Sequence, residues 1–133
     1  METKKAGFLT ELDAALVPGS DRVWKFKTPL VYYSAILQRE VEVPAGFYTD
    51  FASVPRIPLV WLFWGGRAHR EAGLHDYLFR IDSDPVVSFT EANSIFLEAM
   101  QARGKSLGVR WPMYAGVSVG AYQYFHKKAV ADQ

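Results

Sequence analysis

The chain has 133 residues, half of them apolar and 15% aromatic, so as one domain it buries roughly two-thirds of its unfolded surface and is not a disordered chain. Its formal charge is +1, fifteen Lys and Arg against fourteen Asp and Glu, and the basic residues are scattered, with a small cluster at Lys127 and Lys128. Nucleic acid is therefore not an expected partner, because such affinity comes from a stripe of basic residues on phosphates; the absence of cysteine excludes disulfides, thiolate metal sites and a Cys nucleophile.

The opening METKKAGFLTELDAAL has no apolar core of the kind that marks a signal peptide, so none is expected. The longest apolar run, residues 57–64, spans eight residues and is too short to cross a bilayer.

In chain order the first half reads as β. Residues 8–17 form a candidate strand, with a short helix as the alternative because FLTELDAAL also has helical spacing. Pro18, Gly19, Ser20 and Asp21 then mark a turn. Residues 22–26 alternate polar and apolar side chains, and residues 30–37 are rich in Val, Tyr and Ile. In REVEV (39–43) Val41 and Val43 are expected in the core and Glu40 and Glu42 in water. Short connections suggest an antiparallel meander. Residues 44–66 are irregular, since Pro55 and Pro58 deny them regular structure, yet they are too apolar for an ordinary loop.

The second half reads as α. A first helix is expected over 67–80. Ser88 and Glu91 have the form of a capping box that opens a second helix, which runs to Arg103 and is closed by Gly104. Ile95, Phe96, Ala99 and Met100 supply its apolar stripe. Pro112 suits the first turn of a third helix that continues to about Lys128, with His126, Lys127 and Lys128 on its dipole-negative end. Gly116 and Gly120 lower its propensity by ~1 kcal/mol each, which close packing would offset. The expectation is a single α+β domain over 1–133: an N-terminal antiparallel sheet of three to four strands packed against a C-terminal three-helix set that includes a helix hairpin.

Chemistry centres on His75 and Asp76 in GLHDYLFR. Adjacent helix positions point about 100° apart, so one side chain can face inward while the other faces a cleft. The pair suits a base or ligand His with a metal-binding or orienting Asp, and it equally suits a helix with one buried, hydrogen-bonded His and one solvated Asp. The connection between the first two helices is centred at Asp84, with His75 nine residues before it and Asn93 nine after. In an antiparallel hairpin the two lie at similar depth, and a mid-helix Asn93 that fixes the tautomer of His75 accounts for an otherwise poor choice of residue. Thr49, Asp50 and Ser53 suit a local Asx-type turn; alternatively Asp50 joins His75 and Asp76 around a divalent cation such as calcium, magnesium or manganese. Arg56, Arg67 and Arg70 give a local positive surface. Trp61, Phe63 and Trp64 suit a core, a protein interface or a lipid surface, in that order.

The blocks VPAGFYTDFASVPR, HDYLF and EANSIFLEAM, across residues 41–124, resemble a phage and prophage protein family known only as domain of unknown function thirteen fifty-three. The resemblance implies a phage or prophage gene, a place in the virion or the host cytoplasm, and no catalytic residue to carry over. Separately, HDYLFR is similar to the helix signature of phospholipases A2. That likeness implies His75 as general base, Asp76 as calcium ligand and Asn93 at the orienting position, where those enzymes have Asp; their glycine-rich calcium loop has no obvious counterpart in residues 48–53.

Two functions follow as expectations. One is a phage accessory or structural protein, a virion or tail component, that works by contact with other phage proteins or with its own copies through the surface around Arg56, Trp61, Phe63 and Trp64. The other is a small metal-dependent hydrolase with His75 as base, Asp50 and Asp76 as ligands and Asn93 behind the base.

Overall fold

The structure is a computed structural model that describes residues 4–50, 69–104, 114, 118, 122 and 125–132. Six short strands come first: β1 (Gly7–Phe8), β2 (Ala14–Leu16), β3 (Trp24–Phe26), β4 (Leu30–Ser34), β5 (Arg39–Val43) and β6 (Tyr48–Thr49). Two helices follow, α1 (His69–Leu78) and α2 (Phe89–Ala102).

The strands form two antiparallel sheets of three, in the orders β1-β4-β5 and β2-β3-β6. The alternation in β4 and β5 determines their register. Leu30 faces Val43 and Tyr32 faces Val41, all four fully buried, while Glu40 and Glu42 face water. In the second sheet Phe26 anchors β3: its N–H donates to the Phe47 carbonyl at 2.9 Å and its carbonyl accepts from Gly46 N–H at 2.7 Å.

This corrects the expectation of one N-terminal sheet. The candidate strand over 8–17 is neither one strand nor a helix, since its two ends belong to different sheets. The break lies at Thr10, whose hydroxyl donates to the Pro29 carbonyl at 3.2 Å and accepts from Val31 N–H at 2.9 Å. A side chain replaces the backbone ladder there, and the chain leaves β4 to pair with β3.

Both helices pack on the sheets and on each other. α1 contacts α2, β4 and β6, and α2 contacts β1 and β4. Every residue from Glu71 to Arg80 is buried, so α1 is the centre of the domain and has no solvent face over that stretch. Gly73 is needed for this: a Cβ there would lie 2.8 Å from the Phe26 ring. α2 opens on the expected capping box, with Ser88 Oγ accepting from Glu91 N–H at 3.1 Å and the Glu91 carboxylate accepting from Ser88 N–H at 3.0 Å. It closes at Arg103 and Gly104, whose φ of +73° is the left-handed conformation that stops a helix. Ile95, Phe96, Ala99 and Met100 are all fully buried as its inner stripe.

The three-helix set is also corrected: the described residues hold two helices. The expected third helix over 112–128 falls mostly outside them, but its last turns do not. Residues 125–128 are turns and bends, with His126 at φ +54°. His126 N–H donates to the Phe79 carbonyl at 2.8 Å and Ile81 N–H to the Lys128 carbonyl at 2.9 Å. These bonds tie the segment to the end of α1, so His126, Lys127 and Lys128 lie in turns and bends rather than in a helical turn. α1 likewise ends at Leu78 rather than at Arg80.

Candidate functional site

His75 and Asp76 lie on α1 and point to opposite walls of the domain. His75 faces α2. It is fully buried, its ring centroid 4.2 Å from that of Phe79 and 4.9 Å from that of Phe96. Its Nε2 lies 2.7 Å from Asn93 Oδ1. A carbonyl oxygen accepts, so Nε2 carries the proton and donates, and the ring is held as one neutral tautomer. Burial lowers the His75 pKa from 6.5 to about 4, and the bond to Asn93 only partly opposes the shift. The antiparallel hairpin thus brings together the two polar residues at matching depth, as their spacing from Asp84 requires.

Asp76 faces the second sheet and is 6% exposed. Its Oδ2 accepts from Thr49 Oγ1–H at 2.5 Å and from Arg80 Nη2 at 3.1 Å. The same Nη2 donates to the Tyr48 carbonyl at 3.0 Å, and the guanidinium lies 5.1 Å from the centre of the Phe47 ring. Two of these partners carried a readable signal. Arg80 is four residues after Asp76, the i,i+4 spacing that joins side chains on one helix face, and Thr49 stands beside the Asp50 that was singled out instead.

Of the expected metal set, Asp76 is met by Thr49 and Arg80, while His75 faces Asn93 on the other helix. Among the described residues no three His, Asp or Glu side chains are grouped to hold a metal ion. Ser53, Arg56, Trp61, Phe63, Trp64 and Arg67 lie outside the described residues. Arg70 is described and pairs with Glu11 rather than lining the His75 site.

Two further carboxylates on the helices were not anticipated. Glu71 is fully buried, with Arg103 Nη1 3.4 Å away. Glu98 accepts from the Tyr32 hydroxyl at 2.7 Å and from Ile36 N–H at 2.9 Å, which joins α2 to β4 and to the loop after it. Burial, and then the Glu98 carboxylate, push the Tyr32 phenol well above its ordinary range. Each of these groups joins two elements of the fold. Together with His75–Asn93 and Thr49–Asp76–Arg80 they form polar cross-links around α1 and α2.

The described residues contain no helix long and apolar enough to cross a membrane. A family model described as "Protein of unknown function (DUF1353)" matches residues 24–117, which hold most of both sheets and both helices. No curated protein and no solved structure matches the chain.

Proposed function

The chain belongs to the DUF1353 family, and since that description names no activity, we propose from the site itself that the protein works by contact rather than by catalysis, as a phage- or prophage-encoded accessory or structural component. The observation that carries this reading is the sealed state of His75. A general base must reach a proton on a substrate, within hydrogen-bond distance or through one water. His75 instead has no exposed surface, spends Nε2–H on Asn93 and is neutral at pH 7 because burial disfavours its charged form. Asn93, being uncharged, cannot stabilise an imidazolium as a carboxylate does.

The hydrolase alternative also asks Asp76 to hold a cation. Its Oδ2 already accepts from Thr49 and from a buried Arg80. A divalent cation there would sit beside the Arg80 guanidinium and break the hydrogen bond that the Thr49 hydroxyl donates. Both groups of the His-Asp pair thus suit a structural lock, which leaves the outer surface as the place of function. The phage assignment rests on the resemblance of the TDFASVPR and HDYL blocks.

The test is incorporation. Tagged wild-type protein and the variants Trp61→Ala and Trp64→Ala are expressed during particle production and measured in purified particles. Wild type is expected in the particles and the variants, folded by circular dichroism, at reduced amounts. Equal incorporation of all three, or absence of the wild type, contradicts the proposal.

A further inference from the structure

A groove of about 540 Å³ runs between residues 7–11 and the end of the helix hairpin where α1 begins and α2 stops. Arg70, in the first turn of α1, and Arg103, the C-cap of α2, both line it, because antiparallel helices deliver these positions to the same end. Their side chains are only 24% and 25% exposed, so packed stems hold both guanidinium heads in place.

Arg70 meets Glu11 and Arg103 meets Glu71, and the two carboxylates differ in kind. Glu71 is fully buried and is a permanent neighbour of Arg103. Glu11 belongs to the chain just after β1, its side chain is 87% exposed, and it lies on Arg70 from the solvent side. An exposed ion pair is weakly held and exchanges with other ions, whereas a guanidinium fork held by its stem keeps its preference for a carboxylate. Displacing Glu11 frees the Arg70 guanidinium for an entering carboxylate.

The groove's other wall is an edge strand. Among the described residues β1 pairs with β4 on one side only, and Leu9 N–H continues that pairing onto the Val31 carbonyl at 2.8 Å. By antiparallel alternation the intervening Phe8 turns its backbone N–H and carbonyl away from β4. Space beside Gly7 is open, and Leu9 is 52% exposed. An extended chain laid along β1 therefore meets backbone groups and an apolar side chain as well as Arg70, which a small acid does not use.

We propose that this groove binds an acidic peptide segment of a partner protein, with Arg70 as the carboxylate anchor and Glu11 as the intramolecular group that the segment displaces. The proposal rests on the contact reading above and names the chemistry of one partner. Glu11 serves as a competitor, so removing its charge strengthens binding.

The test is fluorescence anisotropy of a labelled oligoglutamate peptide with the full chain, beside an oligoglutamine control. Wild type is expected to bind oligoglutamate and not oligoglutamine, with affinity falling as salt screens the charges. Arg70→Gln is expected to weaken binding by about tenfold, equivalent to ~1.4 kcal/mol. Glu11→Gln is expected to tighten it several-fold and, as a change on an exposed side chain, remains informative even if Arg70→Gln fails to fold. Equal affinity of wild type and Glu11→Gln, or full binding by a folded Arg70→Gln, overturns the proposal. So does inorganic phosphate or free glutarate binding with this variant dependence while the peptide does not. A chain found in particles that ignores oligoglutamate removes the groove alone, and one that binds the peptide but is absent from particles removes the particle role alone.

Discussion

Replacing His75 with Gln turns the buried ring into a pH-dependent stability experiment. In the folded protein the His75 pKa is about 4 against 6.5 for the free side chain. The folded value lies below the unfolded one, so as pH falls the unfolded chain takes the proton first. The neutral ring's contribution is complete above the unfolded pKa and is lost as pH falls from about 6.5 through about 4. At 1.36 kcal/mol per unit the full loss is ~3 kcal/mol, most of it reached by about pH 4.5. Gln at this position keeps a donor for Asn93 but loses the ring contacts with Phe79 and Phe96. That loss costs roughly 2 kcal/mol at neutral pH. Urea unfolding at pH 7 and at about pH 4.5 reads both terms. The carboxylates that titrate in this window are common to both proteins and cancel in the difference. The variant is expected to be the weaker protein at pH 7, with the gap closed or inverted at the lower pH. A gap that stays constant would refute the reasoning, since it requires that His75 not change its proton affinity on folding.

Three other substitutions probe the remaining contacts. Asp76→Asn leaves the 5%-exposed Arg80 side chain without its anion and is expected to cost ~3–5 kcal/mol in urea unfolding, with Arg80→Met in the same chain recovering part of it. Gly73→Ala gains up to ~1 kcal/mol of helix propensity, but its methyl group meets the Phe26 ring in a closed core. A net loss of ~1–3 kcal/mol is expected from thermal melting, relieved when Phe26→Leu is added. Ser88→Ala removes the capping hydroxyl of α2 and is expected to cost ~1 kcal/mol by the same measurement.

What was readable in the sequence was local or periodic. REVEV (39–43) appears as β5 with its valines inward, and the capping box, the inner stripe and the Gly104 stop of α2 all stand where their residue types place them. The His75–Asn93 contact was readable for a related reason: equal spacing from the middle of a short helix connection becomes equal depth in a hairpin. The errors share a different cause, contacts distant in sequence. The chain over 8–17 has strand character throughout, but Thr10 bonds to Pro29 and Val31 and diverts it between two sheets. The tail near Lys128 has helical composition, yet its backbone bonds to Phe79 and Ile81 at the end of α1. Glu71 and Arg80 look like ordinary surface charges on a helix until α1 is surrounded on all sides, and only then do their partners determine the polar chemistry of the core. Thr49 supplies a contact with Asp76 that its residue type alone did not announce.

The central claim is that the His75–Asp76 pair locks the fold and holds no metal. The measurement that tests it most directly is thermal melting of the purified protein with excess Ca²⁺, Mg²⁺, Mn²⁺ or Zn²⁺ and with chelator, beside Asp76→Asn. A site filled at 100 times its dissociation constant would stabilise the wild type by ~2.7 kcal/mol, a shift that melting resolves easily. The account predicts the same melting temperature under every condition for the wild type, and a lower one for Asp76→Asn that is equally indifferent to metal. A rise with one cation, reversed by chelator and missing in Asp76→Asn, would contradict it.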